Sequence, residues 1–160
     1  MNPIVIGYDG SPGAKAAIAF AAEHLARRPA VVVTAYEAWP PAVRGDAAVV
    51  DDDARAATEQ AAEEGAALAR AAGLDAAART VYGSRKPWQS IIDVADELDA
   101  GLIVVGSHGF NGLRPLVLGS VSHQLGHHAH QPVLAVPTAE AVAARKRQKA
   151  VGNATEHAVH

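Results

Sequence analysis

The sequence contains no cysteine. That excludes disulfide staples, thiolate nucleophiles and cysteine-ligated metals together. Aromatic residues are nearly as scarce, with two Trp, three Tyr and two Phe among 160 residues, and there is one Met. No apolar run approaches the roughly 18 residues that a membrane-spanning helix needs. The opening Met1-Asn2-Pro3-Ile4-Val5-Ile6-Gly7 has no basic n-region and no apolar stretch long enough for a signal peptide. The expectation is a soluble, cytoplasmic protein without a membrane partner. A large excess of one charge is also missing. Fourteen Lys+Arg against seventeen Asp+Glu leave a net charge of −3. Arg145, Lys146, Arg147 and Lys149 make residues 139–160 basic, so the preceding body is more acidic than the whole. A body of that sign repels phosphodiester backbones and offers no footprint for general nucleic-acid binding.

What the chain does have is alanine. Hydrophobic residues make up 49% of it, and 37 alanines supply almost half of that fraction. The length suits one domain with a core of Val, Ile and Leu strands and Ala-rich helices packed closely on them. Short β-branched runs alternate with long Ala/Glu/Arg segments. Ile4-Val5-Ile6 reads as a first strand; Ser11 as N-cap and Pro12 at the first helical position start a helix to about Arg28. Val31-Val32-Val33 gives a second strand. After the Pro-rich loop at 37–45, a helix is expected from about Ala47 to Ala72, with Asp51, Asp52 and Asp53 near its favourable N-terminal end and Gly73 closing it. A third strand spans about Ala77 to Tyr82, and Pro87 opens a helix through Leu98. Leu102-Ile103-Val104-Val105 is uninterrupted apolar sequence, as suits a central parallel strand buried on both faces. A helix begins near Gly119-Ser120, and the last strand lies within Pro132–Pro137. This alternation predicts an α/β fold, a single doubly wound domain over 1–138 with helices on both faces of a parallel sheet. Residues 139–160 form a basic tail, helical to about 150 and frayed or disordered beyond.

In such a sheet, ligands bind beyond the carboxyl ends of the strands, where the strand order reverses. Those ends carry Asp9, then Ala35-Tyr36, then Gly106-Ser107-His108-Gly109. The informative spacing is Gly106-x2-Gly109-x9-Gly119-Ser120. Its glycines bring backbone close to a ligand, and Gly119-Ser120 leads into a helix whose free N–H groups favour phosphate. Ser120 and Ser122 can add hydroxyl donors. A dinucleotide G-x-G-x-x-G after the first strand and a G-x-x-x-x-G-K-[ST] loop are both absent. A receiver-type acidic pair beside Asp9 and a second nucleophile-type Asp two residues away are absent as well. Asp9 has no partner base fixed by sequence, which favours binding over catalysis. His123 and His127 are spaced for a zinc pair, but no H-E-x-x-H completes it; with His128 and His130 they read as a helix-surface or dimer-edge cluster.

These residues resemble the universal stress protein family, in particular its ATP-binding branch. The glycine loop followed by Gly119-Ser120-Val121-Ser122 is similar to that branch's nucleotide-binding pattern. Ile4-Val5-Ile6-Gly7-Tyr8-Asp9-Gly10-Ser11 and His128–Val136 look like the family's opening and closing strands. The resemblance covers about residues 2–138. It implies a five-stranded sheet in order 3-2-1-4-5 and a homodimer formed through the last strand, Val133–Val136. It also implies bound ATP or AMP, with Mg²⁺ or Mn²⁺ bridging phosphate oxygens and no metal ligand from protein side chains. Asp9 and the Tyr36 backbone would flank adenine and ribose. Val105, Gly106, His108 and Gly109 would line the ribose and phosphates, and Gly119, Ser120, Val121 and Ser122 would hold the phosphates. The implied role is a nucleotide-binding regulatory module of the stress response, with no catalytic residue. A slow ATPase and a nucleotide-free dimerisation scaffold are the alternatives. Two departures stand out: Gly83-Ser84-Arg85-Lys86-Pro87 is about two residues longer than the family's usual turn, and Ala35-Tyr36 replaces the commoner His-Val.

Overall fold

The computed structural model describes residues 1–35, 47–82, 86–108 and 118–156, with side chains described among them except at 47–51 and 150–156. The elements alternate as β1 (Ile4–Gly7), α1 (Pro12–Leu25), β2 (Ala30–Ala35), α2 (Ala47–Ala71), β3 (Ala76–Val81), α3 (Pro87–Glu97), β4 (Leu102–Gly106), α4 (Ser120–His128), β5 (Val133–Val136) and α5 (Ala139–Glu156). The strands form one parallel sheet in the order β3-β2-β1-β4-β5. This is the doubly wound α/β architecture that the sequence predicts.

Local chemistry accounts for most boundaries. Ser11 Oγ accepts from the Ala14 N–H at 3.2 Å, and Pro12 follows at the position where a missing N–H costs nothing. Helix α1 stops at Leu25, three residues short of the expected Arg28. A turn closed by Arg28 N–H on the Leu25 carbonyl at 3.0 Å occupies the gap. The cause is Pro29, which disfavours helical geometry in the residue before it. Gly73 ends α2 with φ +99°, and Leu74 N–H returns to the Ala69 carbonyl at 3.0 Å, the positive-φ closure common at helix ends. Helix α2 begins at Ala47 as expected, with Asp51, Asp52 and Asp53 in its second turn. Asp52 and Asp53 are exposed. Helix α5 also runs beyond the expected 150, to Glu156. Thr138 Oγ1 receives the Ala141 N–H at its start, and its Ala, Arg, Lys and Gln content favours continued helix.

Successive strand residues point to opposite faces, and the two faces are filled differently. Ile4, Ile6, Val32 and Val104 pack with Ala14, Ala17, Ile18 and Ala21 of α1 and Ala66 and Ala69 of α2. On the other face, Val5, Val33, Ile103 and Val105 pack with Ile91, Ile92, Val94 and Ala95 of α3 and Leu125 of α4. Alanine thus builds one side of the sheet, where small side chains let two helices seat closely, and branched residues build the other. Among the described residues, no helix is long and apolar enough to cross a membrane.

The two faces should respond to opposite kinds of substitution. Leu125 is fully buried, and Leu125→Ala is expected to open a cavity and cost about 2–5 kcal/mol. Ala17 is also fully buried, and Ala17→Leu is expected to overpack its face and cost about 1–3 kcal/mol. Urea denaturation at neutral pH measures both; a stabilising Ala17→Leu would show that the alanine face is underfilled.

Candidate functional site

Strands β1 and β4 are neighbours at the sheet's switch point. Helices α1 and α4 leave that point on opposite faces. Their N-termini meet the end of β4 through backbone. A Cβ on Gly13 would lie 2.1 Å from the His108 carbonyl oxygen, and one on Gly106 would lie 2.4 Å from the Gly13 carbonyl carbon. Gly119 is less tightly confined, its hypothetical Cβ 3.2 Å from Ser107 O and 3.3 Å from His108 Cα. Ser107 is the pin at the centre. Its N–H donates to Val136 O at 2.8 Å, its carbonyl accepts from Gly119 N–H at 2.7 Å, and the Ser122 hydroxyl lies 3.2 Å from that same carbonyl. Gly119 caps α4 with no side-chain hydrogen bond. The first amides of a helix point outward without intrahelical acceptors and carry partial positive charge, which suits an anionic group.

The residues expected in the site divide into several settings. Asp9 is exposed, and its Oδ1 accepts from Ser11 N–H at 2.9 Å across the turn made by Gly10 at φ +80°. This bond shapes the turn and leaves the carboxylate at the end of β1. Gly106 and His108 are partly exposed, Ser120 is exposed and Val121 is half-buried. The Val105 side chain belongs to the core, packed against Gly7 and the α3 face. Ser122 is buried. Its hydroxyl lies within reach of the Ser107 and Gly119 carbonyls, at 3.2 and 3.0 Å, so it ties the loop together. Tyr36 and Gly109 lie outside the described residues, as do 83–85 of the longer turn. Gly13 is the position that sequence reasoning passed over. Its only signal was a glycine immediately after the Ser-Pro helix start.

Tyr8 connects this end of β1 to α2. The ring is buried and leaves no space for a side chain at Gly65, where a Cβ would fall 2.7 Å from it. Its hydroxyl donates to Glu64 Oε1 at 2.8 Å, and Lys15 Nζ lies 3.5 Å from the same oxygen. Burial pushes the Tyr8 phenol above its ordinary value, and the Glu64 hydrogen bond adds to the rise. In return the Tyr8 hydroxyl, with Lys15 assisting, holds the Glu64 carboxyl below its usual range.

Four other histidines lie apart from this junction. His123, His127, His128 and His130 are exposed. The His123 and His127 rings meet edge to face with centroids 4.7 Å apart, His128 stacks on Trp88 at 4.9 Å, and His130 Nδ1 is 3.0 Å from Asp96 Oδ2. Gln131 chiefly, with His130, holds the Asp96 carboxyl low. Among the described residues, no group of three or more His, Cys, Asp or Glu could hold a metal ion.

Two outcomes follow from this geometry. Gly13→Ala forces backbone apart at the α1–β4 contact and is expected to cost about 1–3 kcal/mol or more, read from the denaturation midpoint. Tyr8→Phe should lower the melting temperature at pH 7, and the deficit should depend on pH at both ends. Glu64's folded value lies below its ordinary 4.5, so its contribution is present above that pH and is lost as pH falls through the folded value. Tyr8's folded value lies above its ordinary 10.0, so its contribution is present below pH 10 and is lost as pH rises further. Melting curves of the two proteins across pH should therefore converge in acid and in strong alkali. A constant gap would contradict the pairing.

The universal stress protein family pattern matches residues 1–137. A universal stress protein of Mycobacterium tuberculosis is 35% identical over 139 residues, which cover 82% of this chain and 44% of that protein. The chain spans about half the length of the curated relatives it matches. Among solved structures, a universal stress protein in complex with cAMP is 29% identical with a TM-score of 0.65, over 86% of this chain and 98% of that one. The universal stress protein from Archaeoglobus fulgidus in complex with dAMP is 25% identical with a TM-score of 0.61, over 85% and 98%. The motif, the strand order and these likenesses agree, and the chain belongs to the universal stress protein family.

Proposed function

We propose that this protein is an adenine-nucleotide-binding regulatory module of the cytoplasmic stress response, taking ATP or AMP at the β1–β4 junction. The observation that carries the reading is the meeting of the α4 N-terminus, capped by Gly119 without a side chain, with the backbone contact of Gly13 and Gly106. That arrangement places helix amides and glycine backbone where phosphates can approach. It gains weight from family members solved with cAMP and dAMP. In this reading Ser120, Val121 and Ser122 offer their backbone N–H groups, and exposed Ser120 its hydroxyl, to the phosphates, while Gly119, whose own N–H is held by Ser107, lets them approach the backbone closely. Asp9 accepts from ribose hydroxyls, and the Tyr36 backbone meets the adenine. Val105, Gly106, His108 and Gly109 line the ribose and phosphates, Val105 through its backbone because its side chain is in the core. In this reading the accompanying Mg²⁺ or Mn²⁺ would be held by the phosphate oxygens, without ligands from protein side chains. Asp9 bonds its own turn and pairs with no described base, so binding is favoured over hydrolysis. Among the described residues β5 pairs with β4 alone and ends the sheet; its outer edge, Val133–Val136, is the surface we assign to homodimerisation.

Isothermal titration with AMP and ATP, with and without Mg²⁺, tests the reading. Saturable binding to the wild type is expected, weakened at least tenfold by Gly119→Val, a change of about 1.4 kcal/mol. A wild-type dimer that takes up neither nucleotide would overturn it in favour of a dimerisation scaffold.

A further inference from the structure

The Ser107–His108 pair is left unexplained by packing. Ser107 is buried at 2% exposure, and its backbone N–H and carbonyl are both engaged. Its hydroxyl lies 2.8 Å from His108 Nδ1. The opposite ring nitrogen, His108 Nε2, is buried and has no hydrogen-bond partner among the described residues. The His108 backbone lies beside the starts of α1 and α4, the carbonyl close to Gly13 and the Cα close to Gly119.

Proton counting decides which way the pair points. A neutral imidazole carries one hydrogen, and a hydroxyl carries one. If Nδ1–H donated to Ser107, the serine hydrogen would be buried without a described acceptor and Nε2 would be a bare, unpaired acceptor. If Ser107 donates to Nδ1, the serine is satisfied and the ring hydrogen sits on Nε2. That arrangement leaves one orphan instead of two, and buried orphans are expensive. The remaining orphan is an N–H donor, which an anionic oxygen would satisfy with a charge-assisted bond.

We infer that Ser107 sets the tautomer of His108 so that its buried Nε2–H donates to a phosphate oxygen of the bound nucleotide, making the pair the element that separates nucleotides from nucleosides. The inference rests on the nucleotide reading above and adds a residue, Ser107, that touches no ligand itself. Ser107 is a positioning residue; His108 makes the contact.

Two measurements test it. Long-range ¹H–¹⁵N spectra of the nucleotide-free protein at neutral pH should show His108 with hydrogen on Nε2 and a bare Nδ1. Ser107→Thr should keep that tautomer, and Ser107→Ala should mix the two. Titrations with AMP and adenosine form the second test. His108→Leu should weaken AMP about tenfold and adenosine much less. His108→Gln, which can place an amide N–H near the Nε2 position, should recover part of the loss. Ser107→Ala should act in the same direction and Ser107→Thr should not. Hydrogen on Nδ1 in the wild type, or equal losses for AMP and adenosine, overturns the inference. Wild-type protein that binds no AMP overturns the nucleotide reading and the phosphate contact, and the spectra then still decide the Ser107–His108 assignment.

Discussion

Where α1 crosses the end of β4, Gly13 and Gly106 stand so close that neither could carry a side chain without colliding with the other's backbone or with His108. The architecture at this end of the sheet follows from that contact. It brings the start of α1 down onto the carboxyl end of β4, fixes residues 106–108 between two helix N-termini, and leaves Gly119 only the narrow space beside Ser107. Ser107 then serves both sides, continuing the β4–β5 pairing through its N–H and receiving the start of α4 at its carbonyl. This end of the sheet is shaped mainly by main chain held in close packing.

The alanine-rich composition supports the same geometry. With Ala14, Ala17, Ala21, Ala66 and Ala69 on one face, α1 and α2 can lie low on the sheet, as the backbone contact at Gly13 requires. The bulk withheld there is restored on the opposite face by Ile91, Ile92, Ile103 and Leu125. Tyr8 is the exception on the alanine side. It reaches Glu64 over Gly65, tying α2 to the turn that carries Asp9.

Much of this was legible in the chain. The alternation of β-branched runs with Ala-rich segments gave every element in order, and Ser11-Pro12, Gly73 and Pro87 marked their ends because capping and proline chemistry act locally. Misjudged boundaries came from competition between local signals. Pro29 shortened α1, and the helix formers of 139–156 carried α5 past its expected end. The glycine spacing from 106 to 119 raised the expectation of a site. It did not indicate how Ser122 is used, since a hydroxyl offered to a ligand and one spent on the Ser107 and Gly119 carbonyls look alike in sequence.

The sequence by itself determined the class of fold and the exclusion of cysteine chemistry, because those depend on residue type and short-range spacing. Only the tertiary structure decided that Gly13 meets Gly106, that alanine occupies one face of the sheet, that Tyr8 finds Glu64 across 56 positions, and that His108 Nε2 is buried beside no described partner. These are relations between segments distant in the chain, set by which helix lies on which face of the sheet, and local spacing carries no record of them.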